Sequence, residues 1–123
     1  MTDIVYPELS TVIYNSSIKV LTSLGCGLPE ICYRKALVIE LSKRGLSVGE
    51  ESVHKVFYDD VEVGFFRSDL VIDQKVILEL KATDCLTRRH ISQTLTYLQI
   101  TGFKLGILIN FGNQKLEMKR LIL

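Results

Sequence analysis

The side chains best suited to chemistry in this sequence are Asp69, Glu79 and Lys81, on two consecutive predicted strands. Successive strand side chains alternate between faces, so Glu79 and Lys81 share a face. A three-residue connection would pair Ile72 with Val76, and counting back then places Asp69 opposite Glu79. Opposed carboxylates repel unless a cation lies between them, and Mg²⁺ or Mn²⁺ suits oxygen ligands. The pattern predicts a hydrolytic metal site where Lys81 orients the attacking water or offsets phosphoryl charge.

The same residues also have a simpler interpretation as surface charges. Asp69 and Glu79 could pair with Arg67 and Lys81 on a solvated sheet face, where each pair contributes about 0–1 kcal/mol. An Asp followed ten residues later by Glu-x-Lys is common by chance. Spacing alone therefore favours the surface pairs.

Several segments of the chain resemble the motifs of a known protein superfamily and of a family related to it, and they occur in the same order along the chain as in that family. Asp69 followed by Glu79-Leu80-Lys81 resembles the signature of the PD-(D/E)xK nuclease superfamily, and the segment GLPEICY at 27–33 resembles the motif that names the related GxxExxY family. The other matching segments are 67–70, 76–82, His90 with Gln93, 96–98, 101–102 and 108–111. The resemblance spans about residues 5–115. Its departures are Ser68, where the family often has Ala, and Pro29 beside the motif Glu.

The resemblance implies catalytic roles for Asp69, Glu79, Lys81 and Glu30. The three carboxylates would hold the metal, Mg²⁺ or Mn²⁺, and the lysine would assist the hydrolytic water. Without the family context, Glu30 would be explained as an acid favoured by a helix N-terminus, worth some 0.3–1 kcal/mol. Tyr33, on the same helix face, either fixes the orientation of Glu30 or packs in the core.

Substrate contacts are expected from the third predicted helix and from Arg67, which shares a predicted face with Asp69. The resemblance implies that Gln93 and Tyr97 line the site. Of four dibasic pairs, Arg88-Arg89 is predicted to bind phosphate, because it begins this helix and helix N-termini favour anions. The other three pairs, 34–35, 43–44 and 119–120, are expected on solvated faces. His90 is either a phosphate contact or general base, or an ordinary packed or solvated residue.

Hydrophobic and turn patterns predict the elements that must position these side chains. Periods of 3.6 and 2 residues, with Gly and Asp breaks, indicate the order ααβββαββ. The predicted segments are helices over 5–24, 29–44 and 88–102, and strands over 46–58, 61–72, 76–82, 105–111 and 116–123. This is an α+β (mixed α/β) class, a sheet covered by helices, in a single domain over 1–123. The resemblance implies a restriction-endonuclease-like core with a central mixed sheet.

Composition is that of an ordinary globular protein, with 123 residues, 47% hydrophobic and 24% charged. The net charge of +1 argues against a strongly basic nucleic-acid coat, yet residues 51–82 carry −3 and residues 83–123 carry +4. Apolar runs are too short to span a membrane, and the first ten residues do not resemble a secretory signal. A cytoplasmic location with Cys26, Cys32 and Cys85 as reduced thiols is expected.

Three functions are compatible with these features. The first is a metal-dependent nuclease that hydrolyses phosphodiester bonds in nucleic acid, with DNA as the expected substrate. The second is a catalytically silent nucleic-acid-binding or assembly subunit that keeps the nuclease fold. The third is a protein-interaction domain with vestigial charges and no metal binding. Because a chain of this length has little room for a specificity domain, a homodimer or a partner protein is expected.

Overall fold

The computed structural model of the protein describes residues 5–123. These residues form three helices and one five-stranded sheet in the predicted α+β order ααβββαββ, which is confirmed. The elements are α1 (Pro7–Leu24), α2 (Glu30–Lys43), β1 (Val48–Tyr58), β2 (Val61–Ile72), β3 (Val76–Lys81), α3 (Arg88–Thr101), β4 (Leu105–Asn110) and β5 (Glu117–Ile122). Within residues 5–123, the helices are too short or too polar to cross a membrane.

The sheet is mixed and follows chain order, β1-β2-β3-β4-β5. Strands β3 and β4 are parallel, with α3 in the connection between them, and the other neighbouring pairs are antiparallel. Ile72 pairs with Val76 across a short connection, as the sequence predicts. The carboxyl ends of β3 and β4 therefore lie side by side, with Lys81 next to Asn110.

Helix boundaries follow local chemistry. Pro7 occupies the first turn of α1, where its missing N–H costs nothing. Val5 therefore lies before the helix, whereas the sequence pattern predicts it on the apolar face of the helix. Pro29 is extended and precedes α2, so the first helical residue is Glu30. Thr87 caps α3 by accepting a hydrogen bond from the backbone N–H of His90. These caps place Glu30 and Arg88 in the first turns of their helices.

Both faces of the central strands are packed. The main hydrophobic cluster, with side chains such as Leu70 and Leu78, fills the space between the sheet and helices α1 and α2. A smaller cluster on the opposite face contains Val71, Ile77 and Leu98 beneath α3. The sequence pattern predicts one packed and one working face for β3, and this is wrong for most of the strand. Only its last residues leave space for a site.

The side-chain alternation of β2 breaks at Asp69. The sequence pattern predicts Phe66 and Ser68 on the same face as Leu70. Instead Phe66 stacks on Tyr97 of α3, and Ser68 bonds His54 beside it, whereas Leu70 packs on the opposite face. The prediction is wrong because the ladder with β1 is irregular at this level. Strand β2 therefore changes faces beside the candidate catalytic residues.

Candidate active site

Asp69 and Glu79 bridge β2 and β3 through their carboxylates. The regular ladder pairs Leu70 with Leu78. One residue further, Glu79 Oε2 accepts a hydrogen bond from the Asp69 backbone N–H at 2.9 Å, and Asp69 Oδ2 accepts one from the Leu80 N–H at 2.8 Å. Each carboxylate uses one oxygen in these bonds, so its second oxygen can take another partner. The two carboxylates are held together at the point where the strands separate.

The surroundings of this pair disfavour the ionised form of Glu79. Burial of Glu79, which is 4% exposed, together with the neighbouring charge of Asp69, raises the pKa of its carboxyl group from 4.5 to about 8. The backbone hydrogen bond from Asp69 and the Lys81 ammonium act in the opposite direction. Burial and the charges of Glu79 and Asp69 also raise the pKa of the Tyr97 phenol. Tyr97 of α3 therefore lies within electrostatic range of both carboxylates.

Glu30 approaches the pair from the first turn of α2. Partial desolvation and the charge of Asp69 raise the pKa of its carboxyl group, while Lys81 and Arg34 lower it. The structure thus brings Glu30 within electrostatic range of Asp69 and Lys81. In residues 5–123, no three His, Cys, Asp or Glu side chains form a group that could hold a metal ion.

The donor chemistry of Asp69 and Glu79 nevertheless fits a divalent ion such as Mg²⁺. The buried Glu79 and the half-buried Asp69 offer hard oxygen atoms, and burial together with the charge of Asp69 raises the pKa of Glu79, so a bound cation would favour its ionised form. Mg²⁺ is commonly held by one or two carboxylates, with water and substrate phosphate as its other ligands. Asp69 and Glu79 alone therefore supply as many protein ligands as such a Mg²⁺ site commonly has.

Tyr33 connects the loop before α2 to the core. Its ring is fully buried and stacks on Phe111, and its hydroxyl donates to the Gly25 carbonyl at 2.7 Å and accepts from the Leu28 N–H at 3.1 Å. The two roles that the sequence left open for Tyr33 therefore combine. It packs in the core and also fixes the loop from which Glu30 enters the site.

Asn110 organises the end of β3 and is not singled out by sequence reasoning. It is fully buried at the end of β4, where its side-chain oxygen accepts from the backbone N–H groups of Thr83 and Gly112 at 3.0 Å. Its amide nitrogen donates to the Thr83 carbonyl and to Glu117. A polar residue that closes an apolar strand is the signal that could identify it, since buried amides need partners. These bonds fix the chain just after Lys81.

Arg34 is a second residue that sequence reasoning missed. The sequence predicts that the pair Arg34-Lys35 lies on a solvated face, but the Arg34 side chain is only 15% exposed. It pairs with Glu51 at 3.3 Å and lies 3.7 Å from a Glu50 oxygen. Glu51 has φ +48 and lies opposite Asp69, between the regular pairs of the β1–β2 ladder. Arg34 therefore holds Glu51 of β1 at the irregular point of the β1–β2 ladder, where the side chains of β2 change faces. We call this contact the Arg34 clamp.

The remaining predicted substrate residues are exposed. Gln93 lies on the surface of α3, and Arg88 and Arg89 are in its first turn. Arg67 lies over the Phe65 ring, on the face of β2 opposite the Phe66–Tyr97 stack. His90 accepts a hydrogen bond from the Thr87 N–H through Nδ1, which completes the cap of α3. His90 therefore has a capping role in this structure.

Two further dibasic pairs differ from one another. Lys43 and Arg44 are exposed, as expected. Arg120 is instead tied to the start of α1, where it donates to Ser10 Oγ and to the Val5 carbonyl. The expectation of a solvated face is wrong for Arg120, because oxygen atoms at the start of α1 accept hydrogen bonds from its guanidinium.

Comparison with known proteins gives a family and a fold. The family model described as "PD-(D/E)XK nuclease superfamily" matches residues 7–121. Among solved structures, the crystal structure of SSO0001 is similar with a TM-score of 0.56 at 14% identity, over 95% of this chain and 60% of that chain. This chain thus spans about 60% of the length of that structure. No curated protein matches the sequence. The five-stranded sheet with its helices is consistent with the restriction-endonuclease-like fold.

Proposed function

Because the chain belongs to the PD-(D/E)XK nuclease superfamily, we propose that it is a metal-dependent nuclease that hydrolyses phosphodiester bonds in DNA. The observation that carries this proposal is the reciprocal bridge between Asp69 and Glu79. Placing the buried Glu79 beside a second, half-buried acid is unfavourable for the fold by itself. A site for a divalent cation and a phosphate explains why both are present.

Each proposed catalytic residue has a separate task. Asp69 and Glu79 would hold Mg²⁺ or Mn²⁺, and Glu30, which forms no three-residue metal group with them in this structure, would add negative charge near the ion. When bound, the ion would polarise the scissile phosphate and make a water molecule more acidic. Lys81 lies within electrostatic range of Glu30 and Glu79, where its ammonium would orient the attacking water and offset charge on a phosphoryl oxygen.

Substrate binding would involve side chains at two places. Tyr97 lies beside the carboxylates, and its hydroxyl would donate a hydrogen bond to a phosphate oxygen. Gln93 is exposed one helical turn before Tyr97, and Arg88 and Arg89 add positive charge at the N-terminus of the same helix. Arg67 lies over the Phe65 ring on the opposite face of β2 from Tyr97, so we assign it no substrate contact in this site.

The structure of the GLPEICY segment supports placing the chain in the GxxExxY family. Gly27 has φ +103, a conformation that favours glycine. Glu30 faces the site, and Tyr33 fixes the loop between them. Each of the three defining positions of the motif therefore has a physical role in the loop or helix that carries Glu30.

The proposal also includes the domain and its location. We take residues 1–123 as a single nuclease-like domain, since one sheet connects all the described strands. Free thiols at Cys26, Cys32 and Cys85 suit the reducing cytoplasm.

The experiment is a titration of Mg²⁺ and of Mn²⁺ into wild type and into the variants Glu79→Ala and Lys81→Ala, with cleavage of single- and double-stranded DNA followed in parallel. We expect cleavage by the wild type and its loss in both variants. Lys104→Ala, which removes an exposed lysine elsewhere, is the matched control and should cleave normally. Metal binding that requires Glu79 without any cleavage would instead indicate a silent nucleic-acid-binding or assembly subunit. No metal binding at all would contradict the proposal.

A further inference from the structure

The β1–β2 hairpin extends well beyond the rest of the sheet. Strand β3 pairs with β2 only over Leu70–Ile72, whereas the β1–β2 ladder continues to Tyr58 and Val61. The outer part of the hairpin is therefore a two-stranded ribbon. Such ribbons are marginally stable in water unless another element covers a hydrophobic face.

One face of this ribbon is apolar and open to solvent. Register partners in an antiparallel ladder lie on the same face, and so do residues two apart on one strand. The pairs Lys55–Phe65 and Phe57–Glu62 therefore share one face of the ribbon, and Val53 lies on the same face, two residues before Lys55. Val63 is the extra residue at the register shift next to Phe57. The four apolar side chains Val53, Phe57, Val63 and Phe65 are each between 54% and 62% exposed. Soluble monomers seldom leave so many large apolar side chains together in water.

Charge on this face is arranged from one end to the other. Lys55 and Arg67, the register partner of Val53, lie toward the base of the ribbon, while Glu62 and the turn residues Asp59 and Asp60 lie at the tip. If a second ribbon stacks on the first in the opposite direction, the acidic tip of each lies against the Lys55 end of the other. A parallel stack would place acidic tip on acidic tip. A symmetric dimer requires a self-complementary face, and of the two stacks only the antiparallel one brings opposite charges together.

We propose that this hairpin face is the interface of a symmetric homodimer, with the ribbons of two copies stacked antiparallel. The Phe57 and Phe65 rings of both copies form its apolar centre, and Glu62 of each copy pairs with the partner subunit's Lys55. The proposal is independent of nuclease activity.

The available area suits a dimer of moderate affinity. Each half-exposed aromatic ring presents roughly 100 Å². With the two valines and the polar flanks, the face reaches an area on the order of 600–800 Å² per copy, near the size of a standard protein interface. Nucleic acid is the poorer occupant, because three carboxylates at the tip would repel phosphates.

The first experiment is sedimentation velocity of the full chain over a dilution series from about 200 µM to about 1 µM. We expect a monomer–dimer equilibrium in the wild type and a monomer in Phe65→Glu and in Val63→Glu. Ile39→Glu, which places the same charge on an equally exposed apolar site of α2, should still dimerise. A wild-type monomer at every concentration overturns the proposal, as does a dimer that survives both hairpin variants.

A charge swap tests the antiparallel arrangement without removing apolar area. Lys55→Glu and Glu62→Lys should each weaken the dimer at least tenfold, since each brings like charges together twice. The double variant Lys55→Glu/Glu62→Lys restores opposite charges and should recover most of the affinity. Additive weakening in the double variant overturns the proposed stack. Melting temperatures measured at the lowest concentration verify that all three variants are folded.

Discussion

Tyr33 and Phe111 stack with their ring centroids 4.9 Å apart and their planes inclined by 7°. The contact joins the helix that carries Glu30 to the chain that leaves β4. Because the Tyr33 hydroxyl also bonds Gly25 and Leu28, one side chain determines how α2 meets the loop before it. The position of Glu30 relative to Asp69 and Lys81 depends on this arrangement.

Tyr33→Phe tests the role of the hydroxyl. The variant keeps the stacked ring and loses both hydrogen bonds, so the free energy of unfolding should fall by about 1–2 kcal/mol. Affinity for Mn²⁺ should also fall, because the loop before Glu30 is no longer fixed. Urea denaturation and calorimetric Mn²⁺ titration measure the two effects. Tyr14→Phe, on the exposed side of α1, is the control, and equal stability of the two variants would contradict the argument.

Glu79→Gln tests the raised pKa of the buried acid in metal-free protein. Between pH 4.5 and about 8 the folded protein retains a proton on Glu79 that the unfolded chain releases, so wild-type stability should fall as pH rises through this window. Glutamine resembles the protonated acid at every pH. The variant should therefore gain stability relative to wild type as pH increases, reaching a melting temperature about 5 °C or more higher near pH 9.

Thermal unfolding in a metal chelator, from about pH 5 to pH 9, measures this difference. Glu8→Gln is the control, because Glu8 is exposed in the first turn of α1 and its substitution should give the same offset at each pH. A constant offset for Glu79→Gln as well would rule out a raised pKa at Glu79.

Proton and metal should compete for the same carboxylate. Since Glu79 must be ionised to hold a cation, saturating Mn²⁺ should raise the melting temperature more near pH 8.5 than near pH 6. Differential scanning fluorimetry with and without Mn²⁺ measures the shift. Asp69→Asn should lose most of it at both pH values. A shift that is equal at the two pH values in the wild type would show that Glu79 does not hold the ion.

Much of the fold follows from local patterns in the sequence. The glycines after α1 and α2 mark helix ends, and the short polar segment after Ile72 sets the register of β2 on β3. Register alone then brings Asp69 beside Glu79. These features are readable because each depends on a few neighbouring residues.

Other features depend on contacts that no local pattern records. The change of face at Asp69 accompanies a positive φ at Glu51, a residue type that gives no indication of that conformation. Arg34 holds this irregularity from a separate helix. Packing of both faces of β3 depends on where α3 docks. The sequence therefore predicts the members of the site better than it predicts the structure that supports them.

Arg34→Met tests this clamp. Loss of the partly buried guanidinium leaves Glu51 without its partner, and because Glu51 is largely exposed the free energy of unfolding should fall by only about 1 kcal/mol. DNA cleavage should fall as well, since Glu51 lies opposite Asp69. The control Lys35→Met removes an exposed ion pair with Glu50 and should cost less than about 1 kcal/mol. Urea denaturation compares the two, and a larger loss for Lys35→Met would contradict the clamp.

Gly112→Ala tests the close approach of the chain segments that follow β3 and β4. A Cβ at Gly112 would lie 1.9 Å from the Thr83 carbonyl oxygen and 2.4 Å from its nitrogen, so one backbone segment must move. Thr83 would then separate from Asn110, which holds it two residues after Lys81. The free energy of unfolding should fall by more than about 2 kcal/mol, and cleavage should fall because Lys81 shifts.

Gly64→Ala is the matched control, because a Cβ there meets nothing within 4 Å and its φ is not positive. Its stability should stay within about 1 kcal/mol of wild type. Urea denaturation of both glycine variants gives the comparison, and a cleavage assay at a temperature where each remains folded separates the displacement of Lys81 from unfolding. Equal stability of the two variants would mean that the Thr83 segment can move freely. In that case Asn110 does not determine the position of Lys81.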